Sequence, residues 1–261
     1  MLYDPREFGR MRNRVLLISA VAWVFLFAGT QFSAGVESSV AAASESHSHH
    51  ASSASLLKMN PPASWAIEWL LMLAAMMAPT LITPLWYIRV RNFARRRLRS
   101  SALFVFGYAA VWMTVGALVL AAETGLKLLH VQSFWPAATL AMIALVWQTS
   151  PAKQRCLNRC HAHGSFAAFG ASADLDALRF GISHGVWCVG SCWALMLFPM
   201  LLPLGHVAAM AAVSTLVFSE RLERPTPPGW RFRGLGKATR IVLAQTARLC
   251  KGLRLVAEQK D

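Results

Sequence analysis

Four of the chain's cysteines fall in two pairs of equal spacing, Cys156 with Cys160 and Cys188 with Cys192. Residues four apart share one face of an α-helix, so each pair can present both thiols to one ion. The second pair extends in both directions, since His184, Cys188, Cys192, Met196 and Met200 follow at steps of four. Imidazole, thiolate and thioether together form a soft donor set, which selects Cu(I) first and Zn(II) second. Each step of four drifts by about 40° round a helix, so neighbours along the stripe can serve one ion but all five cannot. The expected principal ligands are Cys156, Cys160, Cys188 and Cys192, with His184 as a fifth and Met196 and Met76 as auxiliary thioethers. Packing is the plain alternative, because cysteine behaves as a small apolar residue and methionine fills gaps. Two matched pairs flanked by His161, His163 and His184 go beyond packing. Met72, Met76 and Met77 on their own do not.

The elements that must position these donors lie in lipid. Apolar residues make up 56% of the 261, and the mean hydropathy is +0.43. Long stretches carry no formal charge, as membrane-spanning helices require. The expected fold is all-α, a polytopic bundle of about six spans: Val15 to Phe32, Trp65 to Ile88, Ala102 to Ala122, Phe134 to Ser150, Phe180 to Pro203 and the short Gly205 to Phe218. A rise of about 1.5 Å per residue from Phe180 puts His184 roughly 6 Å, Cys188 roughly 12 Å and Cys192 roughly 18 Å into the bilayer. Cys156, Cys160, Cys188 and His184 are therefore expected to meet in its inner third, a depth at which ionisable side chains mark function.

A net charge of +14 would suggest nucleic acid in a soluble protein, but the basic residues alternate by loop. Four precede Val15, six lie between Arg89 and Arg99, four between Lys153 and Arg179, and ten follow Phe218, so only Lys58 and Lys127 fall on the other side. This is the positive-inside bias, and it places both termini in the cytoplasm of a bacterial inner-membrane protein. The charge is a topology signal, and no nucleic-acid partner is expected.

Four regions follow. Residues 1–32 form an N-terminal anchor helix, or a cleaved signal, and the long apolar run favours the anchor. Residues 33–64, rich in Ser and Ala with His47, His49 and His50, form a periplasmic linker that cannot bury enough apolar surface to fold. Residues 65–222 make the membrane-embedded metal-binding core. Residues 223–261 are a basic cytoplasmic tail, in which Thr226-Pro227-Pro228-Gly229 breaks the helix. In the tail Leu235, Val242, Leu249 and Val256 recur at seven, the pattern of an amphipathic helix on an anionic leaflet. Cys250 has no cysteine at ligand spacing.

Within the second span Pro79 and Pro84 each remove a helical donor, which frees the carbonyls of Ala75 and Thr80 for other partners and bends the helix beside Met72, Met76 and Met77. No G-x-x-x-x-G-K-[ST] loop, catalytic triad or metalloprotease motif is present, so neither ATP-driven pumping nor enzyme activity is indicated.

Three functions fit these features. The chain handles or transfers a soft metal at the membrane, exchanging it with a donor or acceptor protein. Alternatively, the two dithiols pass electrons from a thiol to a quinone, although Cys-x₃-Cys on a regular helix suits a disulfide poorly and a cytoplasmic face disfavours one. In the third reading a fixed ion pins helices in a structural or assembly subunit. The direction of transfer and the oligomeric state stay open.

Three motifs carry a resemblance: Trp69-x₂-Met72-x₂-Ala75-Met76-Met77-x-Pro79, then Lys153-x₂-Cys156-Leu157-x₂-Cys160, then Gly181-x₂-His184-Gly185-x₂-Cys188-x-Gly190-x-Cys192-Trp193-Ala194-Leu195-Met196. In this order they resemble the bacterial family of predicted metal-binding integral membrane proteins, a domain of unknown function. The resemblance implies an all-helical inner-membrane protein that binds a metal through these cysteines. Such proteins often show adjacent cysteines in the third motif, where this chain has Ser191 before Cys192.

Overall fold

The computed structural model describes residues 5–41, 62–128, 135–162, 164, 166–167, 170–201, 205–231, 236 and 239–240. Residues 42–61 with His47, His49 and His50, His163 and most of the basic tail, including its expected amphipathic helix and Cys250, lie outside them, while residues 33–41, expected as the start of the linker, continue the first helix. The described residues are mainly helical, with no strand among them. In chain order the α-helices are α1 (Pro5–Ala41), α2 (Pro62–Met77), α3 (Ile82–Arg91), α4 (Arg97–Leu128), α5 (Trp135–Thr149), α6 (Pro151–Cys160), α7 (Gly170–Leu197) and α8 (His206–Arg221). Short 3₁₀ turns at Ala78–Leu81, Ala94–Arg96 and Phe198–Leu201 punctuate them.

Among the described residues four helical stretches are long and apolar enough to cross a membrane: Pro5–Ala28, Trp65–Arg91, Ala94–Ala122 and Gly170–Leu197. They correspond to four of the six expected spans. The other two fall short of that length. The stretch from Phe134 to Ser150 holds the apolar helix Ala138–Thr149, and α8 has 16 residues, about 24 Å at helical rise against a hydrocarbon core of about 30 Å. Leu17, Ile18, Val24 and Phe25 of α1 are exposed on a stretch, Val15 to Ala28, that carries no charge, the pattern of a surface that meets acyl chains.

The chain divides into two compact units, Met1–Pro136 with Ala162–Val189, and Ala137–His161 with Gly190–Asp261. In the first unit, prolines shape the second span as expected. Pro79 opens a 3₁₀ turn, and the Ala75 carbonyl it releases accepts a 2.6 Å hydrogen bond from the Ser19 hydroxyl of α1. Helix α1 is tied further by Glu7 to Arg97 at 2.7 Å and by Phe8 edge-on to Trp86. Trp69 Nε1 donates to the Trp112 carbonyl at 3.0 Å and so joins α2 to α4. Helices α4 and α7 meet backbone to backbone at Gly181, where any Cβ would collide with the Phe104 carbonyl. Small residues permit this approach between apolar helices.

In the second unit, Ser150 accepts from the Lys153 backbone N–H at 3.2 Å and Pro151 follows at the first helical position, a standard start for α6. Lys153 is counted above among cytoplasmic loop residues, but its side chain is buried. Its Nζ lies 2.8 Å from both carboxylate oxygens of Glu220 on α8 and 2.5 Å from Gln148 Oε1 on α5, and Gln148 also donates to Glu220. An ammonium out of water needs such a partner. The interior pairing removes Lys153 from the solvent-facing basic set.

Candidate metal centre

His184 and Cys188 lie one turn apart on α7 in the first unit, 5% and 0% exposed. The glycine contact between α4 and α7 brings Tyr108 to them, its hydroxyl 3.3 Å from Cys188 Sγ. Phe104, Tyr108 and Phe180 wall the imidazole, with centroids 5.8, 6.0 and 6.0 Å from its ring. The result is one imidazole and one thiol in an aromatic enclosure. Met76 and Met77 are buried on α2 in the same unit.

In the second unit Cys156 is half-buried on α6, and its sulfur packs on α7 at Gly190, where an added Cβ would come within 2.9 Å. Gly190 lies about 160° round the helix from Cys192, so Cys156 addresses a different face of α7 from the one that carries Cys192. Trp147 Nε1 donates to the Gly190 carbonyl at 3.0 Å, and Trp147 packs edge-on against Trp193. Arg221 donates to the Ser191 hydroxyl at 3.1 Å. Burial pushes the Cys156 thiol above its ordinary range, and the Arg221 guanidinium opposes that push. Burial likewise raises the Glu220 carboxyl, against Lys153, Gln148 and Arg221. Cys160, Cys192 and Met196 are all buried in this unit. His161 is used in holding helices together: Nδ1 lies 2.9 Å from the Leu157 carbonyl and Nε2 3.1 Å from that of Arg221.

All four cysteines of the two pairs are thiols, none in a disulfide. Among the described residues no group of three or more His, Cys, Asp or Glu side chains is gathered to hold a metal ion. The single multi-thiolate centre expected from the sequence is thus not assembled among them. The donors are arranged by unit, with His184, Cys188 and Met76 in the first and Cys156, Cys160, Cys192 and Met196 in the second. The side chain of Met200 lies outside the described set.

Sequence reasoning missed Tyr108, Phe104 and Phe180 as surroundings of the His184 pair, and Arg221 as the charge that acts on Cys156. For Tyr108 a signal exists, a phenol inside an otherwise apolar run, since a buried tyrosine hydroxyl needs a partner. Glu220 gives a weaker one, an acid at the end of an apolar segment.

An all-helical chain with buried soft donors and helices apolar enough for a membrane defines the class. The profile of the PpoB2 family, described as a copper chaperone, matches residues 66–243, and the chain belongs to that family. The matched residues include all three motifs. Comparison with curated proteins and with solved structures finds no match.

Proposed function

We propose that this chain handles Cu(I) at the bacterial inner membrane, accepting the ion from one partner and passing it to another. Family membership supports copper as the metal. The observation that carries the reading is the placement of the donors: four cysteines outside any disulfide, three of them buried, in a fold whose helices are apolar enough for lipid. Soft donors shielded from water favour Cu(I) over harder divalent ions. The proposed ligands are Cys156, Cys160, Cys188 and Cys192 with His184, and Met196 and Met76 supply thioethers. Zinc fits less well, because its structural sites close four donors tetrahedrally round one ion.

The copper is cargo in this reading, and no reaction is assigned. Both termini lie on the cytoplasmic side, supported by the loop distribution of Lys and Arg, from which Lys153 is now excluded. Copper content of the detergent-purified protein, measured beside a variant with Cys156, Cys160, Cys188 and Cys192 all changed to Ser, tests the proposal. A thiol-dependent excess of copper over zinc is expected. Equal metal in the two preparations ends the reading.

A further inference from the structure

The enclosure round His184 and Cys188 contains more than ligands, and all of it lies in one compact unit. Cys188 is 0% exposed, His184 5% and Tyr108 2%. The walls are Phe104 and Phe180, whose rings pack at 5.1 Å from each other, and Tyr108 itself, 6.5 Å from Phe104. Cu(I), a closed-shell monovalent ion, accepts two-coordinate binding, so one sulfur and one nitrogen suffice. Residues i and i+4 on a helix offer that pair directly. Aromatic rings around it favour a cation over an anion.

We infer that His184 and Cys188 form a self-contained two-donor Cu(I) station, and that Tyr108 positions it by hydrogen bonding to the Cys188 sulfur. The inference rests on the copper reading above and deepens it, dividing the chain's soft donors into at least two separate stops. Binding exchanges the thiol proton of Cys188 for the ion, and no electron moves. Once the sulfur is metal-bound it can only accept, so the Tyr108 O–H donates to it. A hydrogen bond to a metal-bound thiolate withdraws density from the sulfur and fixes its orientation, the role that neighbours of metal ligands commonly play. Tyr108 can hold this place because Gly181 lets α4 and α7 touch at Phe104, one turn from Tyr108. The Gly181-x₂-His184-Gly185-x₂-Cys188 motif thereby acquires a physical reading, glycines for approach and donors one turn apart.

The test uses the full chain in detergent with Cys156, Cys160, Cys192 and Cys250 changed to Ser, leaving Cys188 as the only thiol. Cu(I) is titrated against a chromophoric Cu(I) chelator, and the loaded protein is examined by copper X-ray absorption. One tight Cu(I) with one sulfur and one nitrogen neighbour is expected, and His184→Ala removes the nitrogen. Tyr108→Phe keeps the ring and the packing, so its thermal unfolding stays at wild type. It weakens Cu(I) binding by about tenfold or more and shifts the near-ultraviolet thiolate-to-copper band, which loss of packing alone does not do. Zn(II) offered at the same concentration is not retained.

If the single-thiol chain fails to fold, Cys188→Ser in the otherwise native protein replaces it and should lower stoichiometry by one Cu(I). Copper that is thiol-dependent in the native chain yet undiminished by Cys188→Ser overturns the station while sparing the copper reading. Thiol-independent copper in the native chain overturns both.

Discussion

Cys156 of α6 rests against Gly190 of α7, so close that a methyl group at position 190 would approach its sulfur to 2.9 Å. A glycine in a helix interior normally costs about 1 kcal/mol relative to alanine, and this contact gives a reason for it to be there. In Gly190→Ala the helix gains that propensity while the Cys156 sulfur turns away from α7. Thermal stability is therefore expected to stay near wild type or rise slightly, while Cys156 reacts faster with a maleimide. Peptide mapping after timed alkylation reads the change. An unchanged rate at Cys156 would show that Gly190 does not constrain the thiol.

Burial raises the Cys156 thiol and Arg221 opposes it, which fixes the sign of two pH effects. The folded chain holds this proton more tightly than the unfolded one. The associated stability is thus complete below the unfolded thiol pKa of about 8.5 and is lost as pH climbs through the raised folded value. Alkylation of Cys156, which needs the thiolate, accordingly keeps accelerating past about pH 8.5. Arg221→Gln removes the attraction and displaces the rate profile to still higher pH. A displacement to lower pH would reverse the electrostatic assignment.

The Lys153 and Glu220 pair is buried at both ends, with side chains 0% and 1% exposed. Removing one partner leaves the other charged and desolvated, a loss of about 3–5 kcal/mol for such pairs. Lys153→Met and Glu220→Leu should each lower the unfolding temperature sharply in detergent. The double variant, with no charge left uncompensated, should recover most of the loss. Additive losses would mean that the two residues act independently.

What the sequence disclosed and what it concealed divide along one physical line. Properties set by neighbours in the chain were legible: the apolar runs of α1, α2, α4 and α7 and the carbonyl released by Pro79. Lys153 was misassigned because its partner stands 67 residues away, and a lysine beside an apolar segment looks the same whether it faces water or Glu220. Tyr108 and Cys188 are 80 residues apart, and only the touching backbones at Phe104 and Gly181 bring them together. The cysteine pairs were legible as soft donors. Their distribution was not, because spacing defines a helix face and says nothing of which neighbour that face meets. The face that meets Cys156 turned out to be that of Gly190.

The Ser19 to Ala75 hydrogen bond permits a stricter test, since its origin lies in a proline that can itself be changed. Pro79 cannot donate to the Ala75 carbonyl, so the Ser19 hydroxyl does so from α1 at 2.6 Å. Ser19→Ala leaves that buried acceptor without its donor and should cost about 1–3 kcal/mol. In a Pro79→Ala background the helix supplies its own N–H to Ala75, and the same Ser19→Ala change should cost far less. The difference between the two costs, from thermal or denaturant unfolding, is the coupling between α1 and the proline bend. A Ser19→Ala cost that is equal with and without Pro79 would show that the hydroxyl stabilises the chain for some other reason. The same bond makes α1 part of the packed unit, and intact-mass measurement of protein from membranes should find that helix retained.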